Sequence, residues 1–165
     1  MSGEPPAARG TVNHLRLTVG DIGKAEAFYD PLLSFMGYRL VERSRDRLAW
    51  VVPTAGGNLL WLILSVSAPD APAHDRFAPG LHHLALNAGS RADVDAFHDL
   101  LREHGVTVLD PPAEYDYEPG YYAVFFADPD GMKLEYVHVP ATGSAAYLER
   151  FEEEGLNPLG TGHLS

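Results

Sequence analysis

Cysteine is absent from the 165 residues, which removes disulfides and thiolate metal sites together. Any metal bound here must be held by imidazole and carboxylate groups. Long apolar runs are missing too: no stretch of about 18 residues is apolar enough to span a bilayer. Met1 to Gly10 holds no apolar run of the kind a signal peptide needs, so a cytoplasmic location is expected. Basic residues are few. Twelve Lys and Arg stand against 23 Asp and Glu, for a net charge of −11. A surface this acidic repels phosphate backbones and anionic lipids, so neither nucleic acid nor membrane is an expected partner. What is present is an ordinary globular composition, 45% apolar, in a chain long enough to bury about two thirds of its surface.

The chain repeats itself. Asn13-His14-Leu15-Arg16-Leu17-Thr18-Val19 returns as His82-His83-Leu84-Ala85-Leu86-Asn87-Ala88. With His83 laid over His14, Phe28 falls on Phe97, Asp30 on Asp99 and Leu32 on Leu101. Gly37 falls on Gly105 after a slip of one. Such self-similarity sets the architecture: each half reads as a strand opening with His, then a helix, then a glycine stop.

In order, residues 1–10 read as a flexible lead-in. Val12 to Val19 alternates with period two, Leu15, Leu17 and Val19 on one face and His14, Arg16 and Thr18 on the other. Asp21 is the expected N-cap of a helix carrying Ile22, Ala25, Tyr29, Leu32, Leu33 and Met36. Pro31 is expected to kink or divide that helix, and Gly37 to end it. Strands are predicted at Tyr38–Ser44, Arg47–Pro53 and Leu59–Val66, with a turn at Gly56-Gly57. Residues 68–80, holding Pro69, Pro72 and Pro79, have linker composition. The second half repeats the order: a strand over Leu81–Ala88, then a helix opened by Ser90 and Asp93 with a Val94, Phe97, Leu101 stripe. A short strand follows at Val106–Leu109, then a loop over Pro111–Gly120. Strands at Tyr121–Ala127 and Met132–Val139 flank an Asp128-Pro129-Asp130-Gly131 turn. Beyond Pro140, a short acidic helix is expected at 145–154, and then a tail. The expected fold is thus α+β, two tandem β-α-β-β-β modules (11–67 and 81–140) joined by the 68–80 linker in one domain, with helices on the outer face.

Glu135 turns the repeat into a site. A carboxylate inside a strand, between Leu134 and Tyr136, is costly unless paired or metal-bound. If the faces bearing His14, His83 and Glu135 line one concavity, two imidazoles and one carboxylate meet. That set suits a divalent ion with open positions, such as iron, manganese or zinc. His82, opposite His83 by alternation, reads as structural, and His74, His98 and His104 as surface groups. Arg16 and Asn87 lie on the ligand-bearing faces and either orient a substrate or pair structurally. The tyrosines at 115, 117, 121 and 122 form either a binding lid or rim packing.

Two such modules, the strand-opening His-Leu-x-Leu and the run Asp128-Pro129-Asp130-Gly131-Met132-Lys133-Leu134-Glu135 resemble the vicinal oxygen chelate superfamily over about residues 11–140. That group includes glyoxalase I, extradiol dioxygenases, fosfomycin-resistance enzymes and bleomycin-resistance proteins. The resemblance implies a U-shaped mixed sheet around a divalent ion (iron, manganese, nickel or zinc), in a homodimer. It matches His14, His83 and Glu135 to the ligand positions. Two departures narrow it. Glyoxalase I adds a first-module glutamate; counting from Gly57 against Gly131, its place is Trp61. The extradiol active-site tyrosine would fall at Phe125.

The expected function is therefore a glyoxalase-like, metal-dependent enzyme (lyase, isomerase or dioxygenase) acting on a small substrate with adjacent oxygens, and not a true glyoxalase I. The alternative is a bleomycin-resistance-type protein that sequesters an aromatic or antibiotic-like ligand in a trough including Trp50 and Trp61. Arg16, Trp61, Asn87, Tyr115 and Tyr122 are the candidate substrate contacts; no catalytic residue is assigned.

Overall fold

In the computed structural model the described residues are 10–142 and residue 149; the expected flexible lead-in and C-terminal helix lie outside them, apart from isolated positions. The chain divides into two compact units, one ending at Ala73 and the other beginning at His74.

The first unit runs β1 (His14–Val19), α1 (Ile22–Phe35), β2 (Arg39–Arg43), β3 (Arg47–Pro53) and β4 (Leu59–Val66). Its four-stranded sheet has the order β1-β4-β3-β2, with β1 parallel to β4 and the other pairs antiparallel. The second unit runs β5 (His83–Asn87), α2 (Arg91–Glu103), β6 (Thr107–Glu114), β7 (Tyr122–Ala127) and β8 (Lys133–His138). Its sheet order, β5-β8-β7-β6 with only β5 and β8 parallel, is the first one over again. The fold is α+β, two β-α-β-β-β modules in tandem.

Each helix buries one stripe against one face of its own sheet. On α1 the buried residues are Ala25, Tyr29, Leu32 and Leu33; beneath them, Leu17, Val19, Leu48, Trp50, Leu62 and Leu64 are buried in the strands. On α2, Val94, Phe97 and Leu101 have no exposure at all. Phe97 meets the rings of Phe126 and Tyr136 at 5.4 and 4.6 Å. Both helix starts follow the sequence: Asp21 accepts from the Lys24 N–H at 2.9 Å and Ser90 from that of Asp93 at 3.1 Å. Gly37, at φ +86°, takes the left-handed conformation just past the end of α1.

Two expectations change at prolines. Pro31 does not divide α1, which runs on to Phe35; the buried Leu32 and Leu33 beyond it outweigh the one backbone hydrogen bond proline forfeits. The short strand expected at 106–109 extends to Glu114, through Pro111 and Pro112. β6 is an edge strand, and its pairing with β7 skips register between Asp110 and Ala113. An edge with a bulge is where a sheet tolerates prolines. Trp50, offered above as part of a ligand trough, is instead core: it is fully buried, packs against Tyr29, and donates from Nε1 to Asp30 Oδ1 at 2.9 Å.

Phe97 anchors the α2 core, so Phe97→Ala is expected to cost about 3–5 kcal/mol, measurable as a lower urea midpoint at unchanged slope.

Candidate functional site

Alternation leaves each sheet a second face, away from its helix. In the second unit that face carries His83, Ala85 and Asn87 from β5, Lys133, Glu135 and Val137 from β8, and Ala123 and Phe125 from β7. The ladder places Ala85 and Phe125 on either side of Glu135. Glu135 is 1% exposed, one of two charged or polar side chains that are buried among the described residues. Its burial is made tolerable by two contacts, one on each oxygen. Tyr121 donates its hydroxyl to Oε1, and His83 Nε2 lies 3.2 Å from Oε2. Behind His83, the Nδ1 atoms of His82 and His83 are 2.8 Å apart, so His82 supports the imidazole rather than standing apart from it. The His82 ring in turn meets Phe77.

The electrostatics follow from burial first. Desolvation lifts the Glu135 carboxyl above its ordinary range, opposed by the Tyr121 hydrogen bond and the positive Lys133. Desolvation, then Lys133 and Arg76, hold the His83 imidazole below its ordinary value. The Tyr121 hydroxyl is pushed well above the usual phenol range by burial and by its bond to Glu135, so it stays a donor. Lys133 Nζ sits 4.0 Å from the centre of the Phe125 ring. Around these groups lies an aromatic cluster: Tyr115 stacks on Tyr117 at 5.7 Å and meets Phe125 edge-on at 5.2 Å. Tyr115, Tyr121 and Val139 pack against buried Ala123, Phe125 and Val137.

The tyrosine assignment needs correcting by one residue. Tyr122 faces the helix: its hydroxyl donates to Asp95 Oδ1 at 2.8 Å and its ring lies under Arg91. Tyr121 is the one that reaches Glu135. Parity was the available signal, because 121, 123 and 125 share a side of β7 while 122, 124 and 126 share the other. Asn87 is exposed on the same face as His83, four residues along the strand from it and opposite Val137.

In the first unit, His14 is exposed at the start of β1, its Nδ1 3.0 Å from Asn13 Oδ1. Arg16 donates from Nε to Ser65 Oγ at 2.9 Å, so a neighbouring strand already fixes it. Trp61 is half-buried and lies opposite His14 in the ladder. The register corrects its role. His83 pairs with Lys133 and Ala85 with Glu135; His14 pairs with Trp61 and Arg16 with Ile63. The first-module counterpart of Glu135 is therefore Ile63, and Trp61 holds the place of Lys133. Counting from the turn glycines missed this because the first module spends more residues between Gly57 and the ladder.

Two donors sharing one ion at about 2.1 Å, in tetrahedral or octahedral geometry, lie roughly 3.0–3.4 Å apart. His83 and Glu135, at 3.2 Å, fit two ligands of one ion. Holding the imidazole neutral fits as well, since a ligand must offer a lone pair. Among the described residues no group of three or more metal-ligating side chains forms. Nor is any helix among them long and apolar enough to cross a membrane.

Two mixed sheets of equivalent topology, with an imidazole and a buried carboxylate on an open face, define the class. Residues 11–136 match the model of the Glyoxalase/Bleomycin resistance protein/Dioxygenase superfamily, and the chain belongs to that superfamily. It is 31% identical to a 2-epi-5-epi-valiolone epimerase from an Actinomyces species, an alignment covering 98% of this chain and 96% of that protein. It is 30% identical to the metallothiol transferase FosB of Lysinibacillus sphaericus, over 76% of this chain and 80% of that one. Among solved structures, a glyoxalase/bleomycin resistance protein from Albidiferax ferrireducens superposes with a TM-score of 0.63 at 25% identity, covering 78% of this chain and 98% of that one.

The raised Glu135 carboxyl has a consequence for the metal-free protein. A folded-state value above the ordinary 4.5 means that the stability it confers is whole below the unfolded value and is lost as pH rises through the folded one. Glu135→Gln cannot ionise and keeps an acceptor for Tyr121. In chelator it is expected to melt level with the wild type at about pH 4 and above it at about pH 8, as read by thermal denaturation across that range.

Proposed function

We propose that this chain is a divalent-metal-dependent enzyme acting on a small organic substrate with adjacent oxygen atoms, of isomerase, lyase or dioxygenase type. The observation that carries the reading is the pairing of His83 and Glu135 across parallel neighbours β5 and β8, at a separation two ligands of one ion would have. His14 is the third ligand in this reading. Its support is equivalence: it opens β1 as His83 opens β5, on the strand face away from the helix. A divalent ion so held (iron, manganese, nickel or zinc) supplies Lewis acidity toward a carbonyl flanked by a second oxygen.

The protein's own residues bind and orient. Arg16, fixed by Ser65, and Lys133, seated on Phe125, provide positive charge on the open faces of the two sheets. Tyr115 and Phe125 offer an aromatic floor, with Asn87 and Trp61 as further contacts on the open faces. Epimerisation, which removes and returns a proton at one carbon, is favoured among the reaction types by the likeness to an epimerase over nearly the whole chain.

One member reaction is excluded in this reading: a true glyoxalase I. Its proton transfer uses a carboxylate base beside the metal, one from each module. Here that first-module place is Ile63, within Leu59-Leu60-Trp61-Leu62-Ile63-Leu64, and no acid lies within two residues of it. The competing reading, sequestration of an aromatic ligand, draws on the cluster of Tyr115, Tyr117, Tyr121 and Phe125. Ligand binding indifferent to chelator would favour it.

Protein purified without a histidine tag is expected to carry close to one equivalent of divalent metal per site. His83→Ala should lower its affinity for zinc by at least about 100-fold; equal metal content in both, by plasma emission spectrometry, would overturn the assignment. With methylglyoxal, glutathione and added nickel or zinc, no thioester above the uncatalysed background is expected by absorbance.

A further inference from the structure

The loop that closes β6 onto β7 is built to hold one hydroxyl. Tyr121 lies at its end, where the Tyr121 N–H donates to Glu118 O and the Tyr115 N–H to Tyr121 O, each at 3.1 Å. Gly120, just before it, has φ +81°, and a Cβ there would stand 2.7 Å from Pro140 Cγ. No side chain fits, so the backbone passes tight against Pro140 and the direction of Tyr121 is set. The ring is then walled by Tyr117 at 5.1 Å and Tyr115 at 6.4 Å, both edge-on. The hydroxyl has one carboxylate partner, Glu135 Oε1.

We propose that Tyr121 is a positioning residue: by occupying Oε1 it makes Glu135 a one-oxygen ligand, with Oε2 alone turned toward His83. The inference rests on the metal-site reading above and deepens it. A free carboxylate can bind an ion through one oxygen or through both. One pinned at Oε1 by a rigid donor leaves a coordination position that a chelating carboxylate would fill. A substrate offering two adjacent oxygens needs that position. The hydrogen bond also satisfies an acceptor buried beyond the reach of water. Outer partners of this kind typically govern metal affinity by about 10–100-fold.

The test is Tyr121→Phe, which removes the hydroxyl and keeps the ring, beside Glu135→Gln and the wild type. The readouts are cobalt(II) affinity by chelator competition and the visible spectrum of the cobalt form, with circular dichroism to verify the fold. Tyr121→Phe is expected to bind cobalt about 10–100-fold more weakly and to show altered visible band intensities, as the carboxylate changes its mode of binding. Should Tyr121→Phe match the wild type in both while Glu135→Gln loses affinity, the metal site stands and the positioning role falls. Should Glu135→Gln also match the wild type, the metal-site reading falls and takes this inference with it. If Tyr121→Phe does not fold, zinc titration of wild-type protein carrying 3-fluorotyrosine replaces it. One fluorine resonance that moves on zinc addition in wild type but not in the Glu135→Gln protein supports the role, and the absence of any zinc-responsive resonance overturns it.

Discussion

Everything distinctive in the second module follows from placing a carboxylate where water cannot reach it. Glu135 sits mid-strand in β8 with neighbours that are almost wholly apolar, and it is 1% exposed. Such a group is tolerated only if both oxygens find partners. Tyr121 and His83 provide them, and each partner has to be held in turn. His82 backs His83; the turn at Gly120 and the stacked tyrosines fix Tyr121. The requirement propagates outward from a single side chain to a loop, a glycine and an aromatic cluster. A hydrophobic residue at 135 would ask for none of this.

The first module shows the contrast. Its ladder is the same, parallel at β1–β4 and antiparallel beyond, and the rung equivalent to Glu135 holds Ile63. No buried charge has to be satisfied there. The open face of that sheet carries an exposed histidine, an arginine fixed by Ser65, and a half-buried tryptophan. Duplication has kept the scaffold in both halves and concentrated the costly electrostatics in one. The helix-facing sides did not diverge in this way. Both are apolar layers in which size and fit decide the packing, as Trp50 against Tyr29 and Phe97 against Phe126 illustrate.

Alternation and helical spacing are local signals, and they made much legible from the sequence alone: two β-α-β-β-β modules, the starts of both helices at Asp21 and Ser90, and strands β3 and β4 to the residue. They also placed Glu135 and His83 on one side of the second sheet. The oddity of an acid between Leu134 and Tyr136 pointed to chemistry before any coordinate did. What the tertiary structure decided was whatever depends on pairing between distant segments. Register made Ile63, not Trp61, the counterpart of Glu135, because hydrogen bonds across β1 and β4 count from the ladder and not from the turn. The same pairing, with the bulges of an edge strand, carried β6 through two prolines. Packing drew Trp50 into the core, and the parity of β7 turned Tyr121 rather than Tyr122 toward the carboxylate. A side chain's face is written in its own neighbourhood; its partner is set by strands that meet only once the chain has folded.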